Sequence, residues 1–350
     1  MIDIDVSRSS IIDEFLNRYQ IWSDNKQFYH GYSSIKVDKK INGIPCYQFA
    51  DFDNINNCDS DIVIIDALLE GLHSAVAFNR YNKSKHYIIV SSGTWNKDLA
   101  NLDISYDLIW YPFALFETVD TYLSPGRFCF YIDKNYTFEY PKPLIFLCTA
   151  GSKRAARDHL VNQLDSWSDK NFILKYEGKD LGVDSSLLDI IKVSDKFDPY
   201  TPILSKYYHN ISQTLPIIMY NQCYFNLVVE TDITVEHSFL PSEKIIKTLI
   251  TGMPFVVVAT QDFIKNLHTL GFKTYQELWD ESYDSEPNYQ TRIDKVVDLC
   301  NNLKNFDWPA NQEKLQSIAN HNARNFLNLN HFADKMFLDF ELVLKRISSD

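Results

Sequence analysis

The sequence predicts an α/β protein built from two Rossmann-like domains that face a cleft, and three observations support this prediction. Short apolar segments alternate with segments of helical periodicity along most of the chain, as in parallel sheets covered by helices. The 350 residues suffice for two domains of ordinary size. Pro141 and Pro143 interrupt the alternation, and an apolar segment after them starts a second series.

Apolar and β-branched residues mark the strands of the first series. Residues 61–65 (DIVII) predict a buried strand, and a helical pattern follows over residues 66–81. Residues 86–91 and 107–110 predict two further strands. We assign residues 1–140 to an N-terminal domain.

The second series begins with a strand over residues 144–148 (LIFLC) and a helix over residues 153–164. A helix over residues 242–251 is closed by glycine and proline, which commonly end helices. Further strands are predicted over residues 171–176, 223–229 and 255–259, and further helices from Gln261, Tyr289 and His331. We assign residues 141–330 to a second domain and residues 331–350 to a C-terminal helix that packs back on the first.

Composition excludes several classes of protein. Apolar residues make up 45% of the chain and charged residues 23%, which excludes collagen-like and intrinsically disordered chains. The net charge of −12 argues against a surface made wholly for nucleic acid or anionic membrane, although one basic cleft remains compatible with it. No apolar segment reaches the length of a membrane span, and no signal-peptide pattern opens the sequence.

The cysteines indicate the compartment. All six are scattered without CxxC spacing or a His/Cys cluster, and several lie inside apolar segments. We therefore expect reduced, structural cysteines in a soluble cytoplasmic protein, or in the host cytoplasm if a phage encodes it. We expect no metal site and no cofactor.

A basic helix start is the first segment that carries chemistry. After the strand over residues 144–148, Ser152 precedes a predicted helix that opens with Lys153, Arg154 and Arg157. Cations at a helix start oppose the helix dipole by about 0.3–1 kcal/mol each, and a bound phosphate reverses that effect. The pattern therefore favours a phosphate site, although a solvated helix start with Asp158 as counter-charge is the alternative. Neither GxGxxG nor a P-loop is present.

A second helix start has a similar character. The predicted strand over residues 223–229 runs into Glu230, and Ser242, Glu243 and Lys244 open the helix that follows. Serine suits the cap position and glutamate the first turn, while the lysine is a cation where an anion would be stabilised. A surface capping pair is the alternative interpretation.

Together the two segments resemble the signature of the α1,3-fucosyltransferase family. The matching residues are Glu230, Phe239, Ser242, Glu243, Lys244, Gly252 and Pro254, with an apolar strand over residues 255–258. A phage-borne and bacterial group of proteins regarded as glycosyltransferases is similar as well, through residues 271–275 (GFKTY) and 280–284 (DESYD). Ser242 stands where the family has threonine, and no asparagine follows Glu230. The resemblance covers residues 144–300.

The resemblance implies a GT-B glycosyltransferase, in which two facing Rossmann-like domains use a nucleotide-sugar donor without an essential metal and invert the sugar. The second domain would bind the donor through Ser152, Lys153, Arg154, Arg157, Glu230, His237, Ser242, Glu243 and Lys244. The cations among these would stabilise the leaving diphosphate. The first domain would take the acceptor.

An inverting reaction needs a base that deprotonates the acceptor hydroxyl. Asp66, directly after a predicted strand, is the first candidate, with Glu70 and Glu117 behind it. Asp66 as a helix cap is the alternative. The acceptor is either a glycan or hydroxymethylcytosine in phage DNA, and duplex DNA would require base flipping.

Two other interpretations compete. One is a non-catalytic module that binds a nucleotide or glycan on the same scaffold without turnover. The other is a metal-dependent DxD motif, for which Asp51 with Asp53, or Asp59 with Asp61, have the spacing. These pairs precede a predicted strand, whereas the metal-binding motif should follow one.

Overall fold

The structure is a computed structural model. It describes residues 15, 19–20, 22–24, 40–41, 44–48, 52–66, 80–93, 102–112, 136–151, 153–176, 179–182, 217–231, 233–234 and 238–347. The described residues form an α/β protein with two largely parallel sheets and flanking helices, which confirms the predicted class. The facing arrangement of two Rossmann-like domains stays a prediction.

The chain divides into two compact units, one drawn from residues 1–116, 238–240 and 328–350 and the other from residues 117–237 and 241–327. The boundary between residues 116 and 117 lies earlier in the chain than Pro141 and Pro143. Tyr136 belongs to the second unit, where its backbone N–H donates to Thr251 O at 2.8 Å and its hydroxyl donates to Cys223 O at 2.9 Å. The prolines therefore end a local segment inside the second unit.

The first unit contains a five-stranded sheet in chain order. Its strands are β1 (Lys40–Ile41), β2 (Ile44–Gln48), β3 (Ile62–Asp66), β4 (His86–Ser91) and β5 (Ser105–Trp110). The pair β1–β2 is antiparallel and the others are parallel. Apolar β-branched residues suit β3 and β4 because both strands have neighbours on each side. One buried cluster, which includes Ile55 of helix α1 (Phe52–Asn57), packs on this sheet.

Helix α8 (Leu329–Ile347) completes the first unit through aromatic packing. Phe337 is fully buried, and its ring centroid lies 5.9 Å from that of Phe15 and 5.4 Å from that of Trp22. The Trp22 indole N–H donates to Asp334 at 2.8 Å. This hydrogen bond satisfies the polar group of a fully buried ring.

The second unit has a sheet in the order β10-β9-β6-β7-β8. The strands are β6 (Leu144–Gly151), β7 (Ile173–Tyr176), β8 (Lys179–Gly182), β9 (Cys223–Val229) and β10 (Phe255–Val258), and only β8 is antiparallel to its neighbour. The chain leaves β6 towards β7 on one side and later leaves β9 towards β10 on the other. Right-handed crossovers in opposite directions place the connecting helices on opposite faces of the sheet.

Six helices of the described chain surround this sheet. They are α2 (Ala155–Asp165), α3 (Ile217–Gln222), α4 (Glu243–Thr251), α5 (Phe263–Thr269), α6 (Tyr289–Asn302) and α7 (Gln312–Leu327). Helix α2 contacts α6, whereas α4 contacts β9 and α7. No helix in the described part of the chain combines the length and apolarity that crossing a bilayer requires.

Helix α4 has a defined cap at each end. Ser242 precedes it, and its hydroxyl accepts from the Lys244 N–H at 3.3 Å. Gly252 ends it at φ 77°, in the left-handed region that favours glycine. A Cβ at Gly252 would lie 3.0 Å from the Cβ of Ala319 in α7, so the glycine also allows the two helices to approach closely.

Candidate functional site

The carboxyl ends of β6 and β9 form the switch point of the second sheet, because the chain leaves these neighbouring strands in opposite directions. Ligands of open α/β sheets bind at such points. We call this place the β6–β9 edge. It comprises Lys153, Arg154, Arg157, Glu230, Thr231, Ser242, Glu243 and Lys244, from the ends of the two strands and the starts of α2 and α4.

The start of α2 reaches across to the end of β9. Arg154 stands at the cap position with an extended backbone and makes no side-chain capping bond. Its Nη1 donates to Thr231 O at 3.2 Å, and Arg157 Nη2 donates to Glu230 O at 3.1 Å. Both acceptors are neutral carbonyl oxygens. The two guanidinium groups therefore bring positive charge to the β6–β9 edge, and these two hydrogen bonds do not neutralise it.

The two arginines differ in exposure. Arg154 and Lys153 are exposed, whereas Arg157 is 3% exposed. Burial and the neighbouring Arg154 lower the pKa of Arg157, while Glu230 acts in the opposite direction. Arg154 is thus accessible to a ligand, and Arg157 supports the strand end from behind.

Glu230 joins the two helix starts. It is 1% exposed; one carboxylate oxygen accepts from Ser242 N at 3.2 Å, and the other accepts from Thr231 N at 3.3 Å. Its own N–H donates to Val258 O of β10 at 2.9 Å. Burial raises the pKa of Glu230 to about 7, against the opposing effects of Lys244 and the Ser242 hydrogen bonds.

The start of α4 carries an ion pair. Lys244 Nζ lies 2.7 Å from Glu243 Oε1 and 3.4 Å from Ser242 Oγ. Burial alone would raise the pKa of Glu243, but Lys244 and Lys247 outweigh it and the pKa is lowered. With Glu230 and Glu243 as the carboxylates and Lys153, Arg154, Arg157 and Lys244 as the cations, the residues that define the β6–β9 edge carry excess positive charge.

Arg292, which sequence reasoning missed, organises the segment after β9. This arginine in α6 is 3% exposed, and it donates to Ala259 O at 2.9 Å and to Ile233 O at 2.7 Å. A third bond goes to Glu286 O. Arg292 lies near the start of a polar helix, where an arginine is usually solvated. Nothing in the sequence therefore marks it as buried.

For the remaining predicted site residues the structure describes no side chain. Asp66 is the last residue of β3 in the first unit and pairs with Val90, but its side chain is outside the described residues. Ser152, Glu70, Glu117 and His237 also lie outside the described part of the chain. Of the predicted donor site, the structure brings together the residues at the starts of α2 and α4 and at the end of β9.

The two motifs after α5, residues 271–275 and 280–284, make hydrogen bonds within the fold. Glu281 accepts from Thr274 Oγ1 at 2.5 Å and from Tyr275 N at 2.9 Å, and burial raises its pKa to about 7. Asp284 accepts from the N–H groups of Ile264 and Lys265 and so caps α5. Among the described residues, no group of three His, Cys, Asp or Glu side chains is arranged to hold a metal ion.

Four cysteines whose side chains the structure describes are free thiols. Cys148, Cys223 and Cys300 are buried and Cys58 is partly buried. Burial raises the pKa of each of the three buried thiols, which keeps them protonated near neutral pH.

The geometry suits an anionic ligand. Helix starts carry partial positive charge, and here two of them meet at one switch point together with guanidinium and ammonium groups. Neither the known protein families nor the curated proteins contain a match to this chain. The residues of the β6–β9 edge therefore carry the evidence for the function of this protein.

Proposed function

We propose that the protein is a glycosyltransferase that moves a sugar from a nucleotide-sugar donor to a hydroxyl acceptor, and that the donor diphosphate binds at the β6–β9 edge. One observation carries the proposal. The starts of α2 and α4 are tied to the same dipeptide, Glu230–Thr231, with Arg154 and Lys244 beside it. A diphosphate has two anionic groups, which matches two adjacent helix starts.

Each cation has a different role in this proposal. Arg154 is exposed, and its guanidinium can present parallel N–H donors to phosphate oxygens. The Lys244 side chain is 18% exposed and exchanges its Glu243 partner for a phosphate oxygen. Negative charge grows on the diphosphate as the sugar leaves, so fixed cations at this place lower the barrier.

The acceptor half of the reaction is assigned to the first unit. An inverting, metal-independent transfer requires a base for the acceptor hydroxyl, and Asp66 at the end of β3 is the first candidate, with Glu70 next in the same unit. Glu117, the third candidate, is the first residue of the second unit. Both a glycan and hydroxymethylated DNA supply such a hydroxyl. The net charge of −12 favours the glycan, because DNA binding requires a surface that neutralises phosphates.

Nucleotide binding is the first test. UDP, GDP, ADP and CMP are screened by thermal shift, followed by transfer assays with the matching donor and with glycan and hydroxymethylated DNA acceptors. A ligand at about 100 times its dissociation constant adds about 2.7 kcal/mol to the stability. We expect a nucleoside diphosphate to raise the melting temperature more than CMP does. Binding of a diphosphate without turnover on any acceptor would indicate a non-catalytic module.

Variants of the exposed Arg154 and the partly buried Lys244 test the site itself. Arg154→Ala and Lys244→Ala each remove one charge-assisted hydrogen bond, so we expect about 10- to 100-fold weaker nucleotide binding. Arg324→Ala and Lys314→Ala are the matched controls, because both residues are exposed on α7 outside the β6–β9 edge. Calorimetric titration measures the affinities. Equal affinity in all four variants would place the nucleotide elsewhere and refute the proposed site.

A further inference from the structure

We propose that Glu230 is a positioning residue, whose buried carboxylate holds the start of α4 against the end of β9 and so sets Lys244 in place opposite the arginines of α2. The inference deepens the proposed function and rests on it for the identity of the ligand. It assigns Glu230 a role through the protein backbone, whereas the sequence suggested direct contact with the donor.

The hydrogen bonds of Glu230 point inward. Its two carboxylate oxygens accept from Ser242 N and Thr231 N at 3.2 and 3.3 Å, and the residue is 1% exposed. Ser242 caps α4, so the first of these bonds fixes the helix start directly. With 1% of the residue exposed, the carboxylate is closed off from a ligand hydroxyl by the surrounding protein.

The same dipeptide also receives the arginines. Glu230 O accepts from Arg157 and Thr231 O accepts from Arg154, while the Glu230 N–H is bonded to Val258 O of β10. The strand end is therefore fixed on three sides, by α2, by α4 and by β10. The carboxylate supplies the connection to α4.

A carboxylate is the group that this geometry requires. Two backbone N–H groups and the Ser242 hydroxyl face the side chain, and a carboxylate offers two acceptor oxygens. Glutamine offers one oxygen and one NH2 group, so one backbone N–H would then face another donor. The variant Glu230→Gln keeps the size of the side chain but loses one of its two hydrogen bonds from backbone N–H groups.

A role through charge and a role in positioning α4 predict opposite results for Glu230→Gln. If the carboxylate acted only by its charge, Glu230→Gln would tighten the binding of an anion, because a nearby negative charge is removed. If the carboxylate positions α4, the variant weakens nucleotide binding. We expect a dissociation constant about tenfold higher for the tightest binder among UDP, GDP and ADP.

Glu281→Gln is the matched control. Glu281 is also a glutamate with two hydrogen-bonded oxygens in the second unit, and burial raises its pKa to about 7 as well. It lies outside the β6–β9 edge. We expect wild-type nucleotide affinity from this variant, even where its thermal stability falls as much as that of Glu230→Gln.

A pH profile separates positioning from a general structural effect. The groups facing the Glu230 carboxylate are Lys244, Glu243 and Ser242 from α4 and Arg157 from α2, while β10 contributes a backbone carbonyl to its N–H. Protonation at lower pH weakens the bonds to the two N–H groups. The wild type and Glu281→Gln should therefore bind the nucleoside diphosphate glucose with the same base less tightly at about pH 6 than at about pH 8. In Glu230→Gln this affinity should stay level.

Hydrogen exchange tests the connection without any ligand. In Glu230→Gln we expect faster exchange of backbone amides at the start of α4 and unchanged exchange in α6. A second pair of variants removes the other partner. Ser242→Pro deletes both the amide donor and the hydroxyl, whereas Ser242→Ala deletes the hydroxyl, with its cap and its hydrogen bond to Glu230, and keeps the amide donor. The proline variant should show the larger increase in exchange within α4.

The outcomes distinguish the two claims. A wild-type protein that binds none of UDP, GDP and ADP refutes the proposed function, and hydrogen exchange still decides whether Glu230 holds α4. Wild-type binding combined with unchanged or tighter binding in Glu230→Gln overturns the positioning role. Unchanged exchange at the start of α4 overturns it too.

Discussion

Buried arginines that donate to backbone carbonyls are the main feature of the second unit at the scale of single residues. Arg157 and Arg292 are each 3% exposed, and their guanidinium groups donate to the carbonyl oxygens of Glu230, Ile233 and Ala259. One guanidinium has five N–H donors and can hold several chain segments at once. The segment after β9 is thus held by side chains of two different helices.

Arg292→Ala should destabilise the protein by at least about 3 kcal/mol, because it leaves several buried carbonyl oxygens without their donor. Arg292→Lys should recover little, since one ammonium group does not span the carbonyls of Ala259 and Ile233. Urea denaturation measures the change. Arg324→Ala, on the exposed side of α7, should stay within about 0.5 kcal/mol. A loss below about 1 kcal/mol for Arg292→Ala would contradict the role given to this side chain.

Buried carboxyl groups predict the pH dependence of stability. Glu230 and Glu281 have pKa values of about 7 in the folded protein against 4.5 when unfolded. Between these values the folded state binds more protons, so the free energy of unfolding falls as pH rises through this window, by up to about 1.4 kcal/mol per pH unit for each group. Denaturation at several pH values should show this decline, and Glu281→Gln should make it shallower. A stability that rises over the same window would oppose the assignment.

The cations of the site were predictable at this scale, but their partners were not. Lys153, Arg154, Arg157 and Lys244 stand at helix starts that strand and cap patterns identify. Their acceptors are remote in sequence: Arg154 and Thr231 are 77 positions apart, and Arg157 and Glu230 are 73 apart. Only the sheet order brings such pairs together, and a single sequence does not specify it.

Helix α4 is the element that links the site to the core. Its apolar face, which includes Ile245 and Leu249, is buried, while its first turn carries the charged residues of the β6–β9 edge. The cap at Ser242 and the glycine at its other end fix where the helix begins and ends. Its position against α7 therefore bears on the placement of Lys244.

Gly252→Ala should destabilise the protein by about 1–3 kcal/mol, because it puts a side chain at φ 77° and a Cβ 3.0 Å from that of Ala319. Ala319→Gly removes the facing Cβ. We expect the double variant to be more stable than the sum of the two single effects predicts, by about 1 kcal/mol. Thermal denaturation of the four proteins gives this coupling. Strict additivity would mean that the two helices do not meet at Gly252.

Most strands were predictable because they are short apolar segments, and the errors have identifiable causes. The predicted strands over residues 86–91 and 223–229 match β4 and β9. Strand β8 was missed, since its KDLG sequence carries two charges and lies at an antiparallel edge. Helix α7 was missed because polar residues fill most of it, although Leu315, Ile318, Ala319 and Phe326 have helical spacing.

At the scale of the molecule, residues distant in sequence complete each unit. The first unit includes α8, and the aromatic contacts of Phe337 connect the two ends of the chain. The prolines that suggested the domain boundary lie within the second unit, because the packing of Tyr136 on Cys223 is not visible in a local pattern. A local sequence pattern therefore does not show which distant segments join one unit.

Phe337→Ala should loosen the first unit and leave the second intact. Removing a fully buried ring costs about 3–5 kcal/mol. We expect faster hydrogen exchange in α8 and β4, and wild-type exchange in β9 and β10. Leu338→Ala is the control, since its side chain is 47% exposed on the same helix. A uniform increase across both units would show that they unfold together.

The separation between the arginines and their acceptors has a consequence for protein synthesis. A ribosome adds about 5–20 residues each second, so the 77 positions between Arg154 and Thr231 take about 4–15 s to make. During that interval a nascent chain carries the guanidinium groups of α2 before the carbonyls that receive them exist. The proposed anion site is thus completed only after β9 has been made, and a polypeptide released before β9 would lack it.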